Sequence, residues 1–301
     1  MRFWVGITDG DWFETLHRLR PDEVNFWQPS DRPPRTMESG WPFLFKLHSP
    51  RNYIVGGGFF VRFTVLPCFL AWDAFGEKNG TASLAELVAR TARYRKAPQT
   101  PGTPIGCNVL TDPFFLDEDH WIPAPPDWPR NVQRGFTYDT DTVSGDALWQ
   151  AVEERLAAHQ LADSVEEPRF GEAYLARTRL GQGTFRTLVT DAYHRRCAVT
   201  GERSLPALEA AHIQAHAADG PNRTQNGLLL RADIHRLFDD GYVTVDPDLR
   251  FVVSPRLREE FENGRAYYAL EGEPLANLPD RLTDRPGREF IEWHNAEVYV
   301  G

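Results

Sequence analysis

The chain's 301 residues are 41% hydrophobic, 12% aromatic and 25% charged, which gives length for two cores, is too apolar for a disordered chain, and includes no apolar run of the roughly 18 residues that a membrane span needs. Met1 to Asp9 turns polar too early for a signal peptide, and the three cysteines, Cys68, Cys107 and Cys197, lie too far apart for a paired-thiolate zinc knuckle or a disulfide framework, so a cytoplasmic protein away from membranes is expected. The net charge of −10 arises wholly in residues 112–168, with 3 Lys+Arg against 13 Asp+Glu, so a polyanion can still dock elsewhere, notably where Arg177, Arg179, Arg186, Arg195, Arg196 and Arg203 face only Asp191 and Glu202 in the sequence.

From Phe3 to about Tyr138 the chain is rich in Trp, Phe and Pro. Phe43–Leu47 and Phe59–Val65 read as strands, and Gly56-Gly57-Gly58, flanked by strand formers, reads as a bulge or tight bend. One helix is predicted within this β region, capped by Ser83, with Leu84, Leu87 and Val88 on one face and running to about Tyr94. The prolines at 98, 101 and 104 and again at 123, 125, 126 and 129 mark loops.

A second helix is predicted over 144–161, with Leu148, Val152, Leu156 and Leu161 roughly on one side, and the domain junction falls in the acidic, proline-broken Asp163–Pro168. Beyond it the pattern gives a helix from Thr184 to His194, a short strand at Leu228–Leu230 and a helix over Ala232–Asp239. A hairpin then turns at Asp246-Pro247-Asp248, and a final helix carries Phe290, Ile291, Trp293 and His294. The expected class is α+β.

The chemistry concentrates between Glu209 and Asp239. His212 ends a short apolar segment, Asn226 follows 14 residues later, and His235 and Asp239 stand at i and i+4 of the predicted helix, one turn apart, a workable bite for a divalent cation. One His and one carboxylate suit an ion that keeps several waters, whereas a closed structural zinc needs four protein ligands.

In order and spacing, Leu208-Glu209-Ala210-Ala211-His212-Ile213, Asn226-Gly227-Leu228-Leu229-Leu230 and His235-Arg236-Leu237-Phe238-Asp239, with Cys197–Gly201 as lead-in, resemble the HNH (ββα-metal) endonucleases. The resemblance implies single-metal phosphodiester hydrolysis with Mg²⁺ or Mn²⁺: His212 as general base, Asn226 holding the loop that bears it, and His235 and Asp239 as metal ligands, with His235 thereby part of the catalytic set. Ala211 stands where many members carry a further ligand, and Thr200 stands where a zinc-binding member has its second Cys, so no structural zinc is expected. The 242–253 hairpin and the Trp293 helix are expected to pack in its place.

The N-terminal aromatic segments around Trp27, Trp41 and Trp72 resemble the PUA-like β-barrels, the group of the SRA and EVE domains, which implies a reader of modified DNA. On that resemblance residues 1–140 form a PUA-like barrel, 141–175 a helical acidic linker and 176–301 the nuclease. Trp27, Trp41 and Trp72 are candidate walls for an extruded base, with Asp73 accepting from an exocyclic amine such as that of cytosine. Arg186, Arg195 and Arg196 are candidate phosphate contacts on double-stranded DNA. The resulting expectation is a modification-dependent restriction endonuclease, working as a homodimer if both strands are cut. Two other readings stay open: a nicking HNH enzyme without modification preference, and a modified-DNA-binding protein that has lost catalysis. His194, His216 and His294 are read as structural.

Overall fold

A computed structural model describes residues 1–33, 37–159 and 180–301. The chain divides into two compact units, Met1–Thr178 and Arg179–Gly301.

The first unit is built on a sheet of seven strands: β1 (Arg2–Thr8), β2 (Glu23–Gln28), β3 (Pro42–Leu47), β4 (Tyr53–Pro67), β5 (Pro104–Phe115), β6 (Ile122–Pro123) and β7 (Gly135–Asp139). They run in the order β2-β5-β4-β3-β1-β7, with β6 on β4, and the β1–β3 pair is parallel. The path is open: among the described residues β2 and β7 end it as edges, so the expected closed barrel is not found. Strand β4 carries the Gly56–Gly58 run, and its pairing with β5 slips between Gly57 and Phe59 and again between Phe60 and Arg62. A Cβ at Gly56 would stand 2.3 Å from the carbonyl oxygen of Phe114, so close strand approach requires glycine there.

Three helices interrupt these strands where one was expected. Helix α1 (Gly10–Leu19) starts at Asp9, whose side chain accepts from the Trp12 amide at 2.7 Å, and buries Trp12, Phe13 and Leu16. Helix α2 spans Cys68–Phe75, and α3 spans Leu84–Arg95 with the expected Ser83 cap on the Glu86 amide. Helix α4 (Val143–His159) falls where a helix over 144–161 was expected, and it lies within the first unit. Leu148, Trp149 and Val152 are buried in one cluster with Phe3, Leu44 and Ile54 of the sheet, because an apolar helix face gains more from covering a sheet than from facing water. The remainder of the expected linker, with its junction at 163–168, lies outside the described residues, as do Arg177 and Arg179.

The second unit opens with α5 (Gln182–Ala192), followed by an antiparallel pair, β8 (Leu208–His212) and β9 (Gly227–Arg231), and then α6 (Ala232–Asp239) directly after β9. The hairpin β10 (Val243–Val245) and β11 (Phe251–Val253) follows, with Asp246 Oδ1 accepting from the Asp248 and Arg250 amides at its turn. Helices Arg256–Phe261, Arg265–Tyr268 and Arg288–Glu297 complete it. Phe185, Leu228, Ile234, Val243, Phe251 and Ile291 belong to one core. The hairpin and last helix thus pack on the β8–β9–α6 unit as expected, but through Ile291 and His294, with Trp293 only partly covered. Among the described residues no helix is long and apolar enough to cross a membrane.

Candidate functional site

In the second unit, β8 delivers His212 at its last position, opposite Gly227 of β9. The imidazole stacks on the Phe185 ring, with centroids 3.8 Å apart and 12° between planes, and its Nε2 lies 2.7 Å from Oδ1 of Asn222. The Asn222 amide has a fixed sense, because its Nδ2 donates to the Leu180 carbonyl at 2.6 Å. Nε2 must therefore carry the proton, and Nδ1 of His212 keeps the free lone pair. Burial lowers the His212 pKa below its ordinary value; the Asn222 bond opposes this, while His216 and His235 add to it and Asp239 counters. The ring is thus neutral at pH 7.

Asn226 is fully buried and ties the segment after His212 in place. Its Oδ1 accepts from the Gln214 amide at 2.8 Å, its Nδ2 donates to the carbonyls of Gln214 (2.9 Å) and Pro221 (3.1 Å), and its own carbonyl accepts from the Ile213 amide.

Helix α6 presents His235 and Asp239 on one face, with Nε2 and Oδ2 3.3 Å apart. Nδ1 of His235 lies 2.7 Å from Oε2 of Glu209 on β8. Glu209 was not among the residues singled out from sequence. Its carboxylate accepts from Nδ1 of His235, which fixes the ring so that Nε2 is directed at Asp239, the side on which a cation could be held. A separation near 3 Å is also the spacing of adjacent ligands about a small divalent ion. Burial raises the pKa of Asp239, partly offset by His235. Among the described residues no group of three or more His, Cys, Asp or Glu is arranged to hold a metal, so they form no closed cage, and His235 and Asp239 are the side chains here that could hold a cation. Ala211 is fully buried in the core and offers nothing to it. The cluster stays open, with the His235 side chain 20% and that of Asp239 54% exposed.

Residues 197–246 match the model of the HNH endonuclease family. They form an HNH endonuclease domain. The HNH domain supplies a nuclease activity, and its match takes in His212, Asn222, Asn226, His235 and Asp239 together with Glu209. No curated protein matches the chain. Among solved structures, a mutant of ZmASCH from Zymomonas mobilis is similar at a TM-score of 0.32 with 8% identity over 51% of this chain and 96% of that one. The modification-dependent TagI restriction endonuclease is similar at 0.29 with 14% identity over 92% of this chain and 75% of that one.

The other histidines of this unit lie apart from the HNH pair. His194 pairs with Asp280 at 3.1 Å, exposed His216 stands 6.1 Å from the His212 ring, and His294 is buried against Phe238. Arg186 follows Phe185 on α5, Arg195 pairs with Asp191 at 3.8 Å, and Arg196 is half-buried in the following turn.

In the first unit, Trp27, Trp41, Trp72 and Asp73 are not brought together. Trp27 is buried, donates through Nε1 to the Asn79 carbonyl, and lines a cavity of about 670 Å³ with Trp12, Phe26, Gln28 and Tyr94. Trp41 lies under the Arg2 guanidinium at 5.1 Å, and Trp72 and exposed Asp73 sit on α2; none of the three lines that cavity. A second cavity of about 600 Å³ shares Phe26, Gln28 and the 132–134 segment with it and adds Trp4, Phe43 and Asn108. Asn108 is 1% exposed; its Nδ2 donates to the Phe26 carbonyl, while its Oδ1 has no partner among the described residues.

Proposed function

We propose that the chain is a modification-dependent DNA endonuclease, in which the HNH domain hydrolyses a phosphodiester and the N-terminal unit holds a modified, cytosine-derived base. Nδ1 of His212 takes the proton of the water that attacks phosphorus as the bond to the 3′ oxygen breaks. Asn222 keeps that nitrogen unprotonated beforehand, Phe185 fixes the ring plane, and Asn226 holds the segment that positions both. His235 and Asp239 would hold Mg²⁺ or Mn²⁺, with Glu209 orienting His235. A cation there supplies charge stabilisation to the phosphate and the departing oxygen. Arg186, Arg195 and Arg196 are the proposed backbone contacts.

The observation that carries this reading is the Asn222-fixed tautomer of His212, within the electrostatic reach of His235 and Asp239. For the reader, Trp27 offers a stacking wall in one cavity, and in the adjoining cavity Oδ1 of Asn108, without a partner among the described residues, takes over the role first given to Asp73, an acceptor for an exocyclic amine. The test is digestion of duplexes that differ only in cytosine modification, with Mg²⁺ and with Mn²⁺. Cutting of the modified duplex alone supports the proposal, equal cutting of both removes the reader, and metal-independent binding without cutting removes the catalytic role.

A further inference from the structure

Strand β3 runs Pro42-Phe43-Leu44-Phe45-Lys46-Leu47 and is buried at every position, so a lysine there is out of keeping with its neighbours. Lys46 is 2% exposed. Its ammonium donates to the Leu47 carbonyl at 3.0 Å and to Oδ1 of Asn52 at 2.8 Å, and stands 4.8 Å from the centre of the Trp128 ring. Among the described residues no carboxylate pairs with it, and burial alone lowers its pKa. An uncompensated buried ammonium costs several kcal/mol unless something pairs with it or it loses its proton.

Lys46 lines a cavity of about 460 Å³ with His48, Asn52, Trp128 and Arg130, and among the described residues no acidic side chain contributes to its lining. A pocket walled by the ammonium of Lys46 and the guanidinium of Arg130, with His48 held neutral by burial and no described acidic residue in its lining, favours an anion. Ile7, His48 and Val132 are common walls of this cavity and of the one lined by Trp27, so the two are neighbours.

We infer that the Lys46 cavity is a phosphate-binding site, holding the backbone phosphate of the nucleotide whose base enters the Trp27 cavity. The phosphate site stands on the Lys46 geometry; its link to a base rests on the reading of the N-terminal unit given above. Lys46 is the main donor, Asn52 holds the ammonium in place, and Arg130 at the exposed rim adds a second charge.

The test titrates inorganic phosphate by calorimetry into the full chain, without divalent cation, and into Lys46→Met and Arg130→Gln. Saturable binding that weakens about tenfold or more in Lys46→Met, and by a smaller factor in Arg130→Gln, is expected for the loss of charged hydrogen bonds. Unchanged affinity in a folded Lys46→Met overturns the site. Should Lys46→Met not fold, Arg130→Gln decides, and no weakening there overturns it. In a second arm, 5-methyl-deoxycytidine and its 5′-monophosphate are compared. A preference for the monophosphate that disappears in Lys46→Met supports one nucleotide across both cavities, and equal affinities contradict that link. Lys46-dependent phosphate binding with no nucleoside binding supports the phosphate site and removes the base reading alone.

Discussion

Asn222 accepts from Nε2 of His212 at 2.7 Å while its own amide nitrogen is committed to the Leu180 carbonyl, so one asparagine decides which imidazole nitrogen is basic. Replacing it with Ala leaves the ring stacked on Phe185 but free to take the other tautomer. Asn222→Ala is expected to lower kcat by roughly one to two orders of magnitude with little change in KM, while Asn222→Asp, which still accepts, retains more activity. Single-turnover cleavage rates check both.

Because burial lowers the His212 pKa, the base is already free at neutral pH. The acid limb of the kcat/KM profile is therefore expected below pH 6.5, the ordinary value for the side chain. A limb displaced above that value would contradict the assignment. Lowering the pH through this limb should reduce rate without weakening DNA binding, measured separately by anisotropy.

Glu209 bonds to the nitrogen of His235 that faces away from Asp239. Such supporting carboxylates are typically worth about 10- to 100-fold in metal affinity or activity. Glu209→Gln is expected to weaken Mn²⁺ binding by that order, His235→Ala and Asp239→Ala by more, and His212→Ala not at all. Calorimetric titration with Mn²⁺ reads all four.

His294 is structural, as its burial implies: Nε2 lies 3.0 Å from the Phe238 carbonyl, Nδ1 lies 2.8 Å from the Thr244 hydroxyl, and the ring stacks on Phe238 at 3.8 Å. Burial, partly offset by the Phe238 carbonyl, depresses its pKa to about 4. The unfolded chain binds this proton first, so the contribution is full above pH 6.5 and is lost as the pH falls toward 4, by up to about 3 kcal/mol. Denaturant melts across that window should show the slope in the wild type and a flatter one in His294→Gln.

Trp27 is the one aromatic among the three chosen from sequence that lines the large cavity. Base stacking on an aromatic is worth about 1–3 kcal/mol. Trp27→Ala should therefore weaken binding of modified DNA by roughly tenfold or more, while Trp41→Ala and Trp72→Ala leave it within about twofold. Competition binding with matched duplexes measures the difference.

The HNH residues were legible because their chemistry is tied to short local spacing: a strand-end His, an Asn just before the return strand, and a His–Asp pair one helical turn apart. Glu209, Asn222 and Phe185 were not, since each acts through contacts set only by folding; Phe185 lies 27 residues before the ring it stacks on. In the first unit the apolar runs of β3 and β4 and the Ser83 cap could be read directly. The parallel β1–β3 pairing and open sheet order could not, because pairing partners leave no local mark. Helix α1 carried a readable signal in Asp9, Trp12, Phe13 and Leu16, masked by the β-prone aromatics around it. Residue type chose three tryptophans; burial and neighbours separated Trp27 from Trp41, which lies under Arg2, and from Trp72 on α2.

The most direct test of the account is single-turnover cleavage of a duplex carrying modified cytosine, at saturating Mn²⁺, by the wild type and by His212→Ala, with Mn²⁺ binding measured on the same samples. The account predicts equal metal affinity and a rate at least about a thousandfold lower in the variant. A variant that cuts within tenfold of the wild type, or that loses metal and activity together, would contradict it.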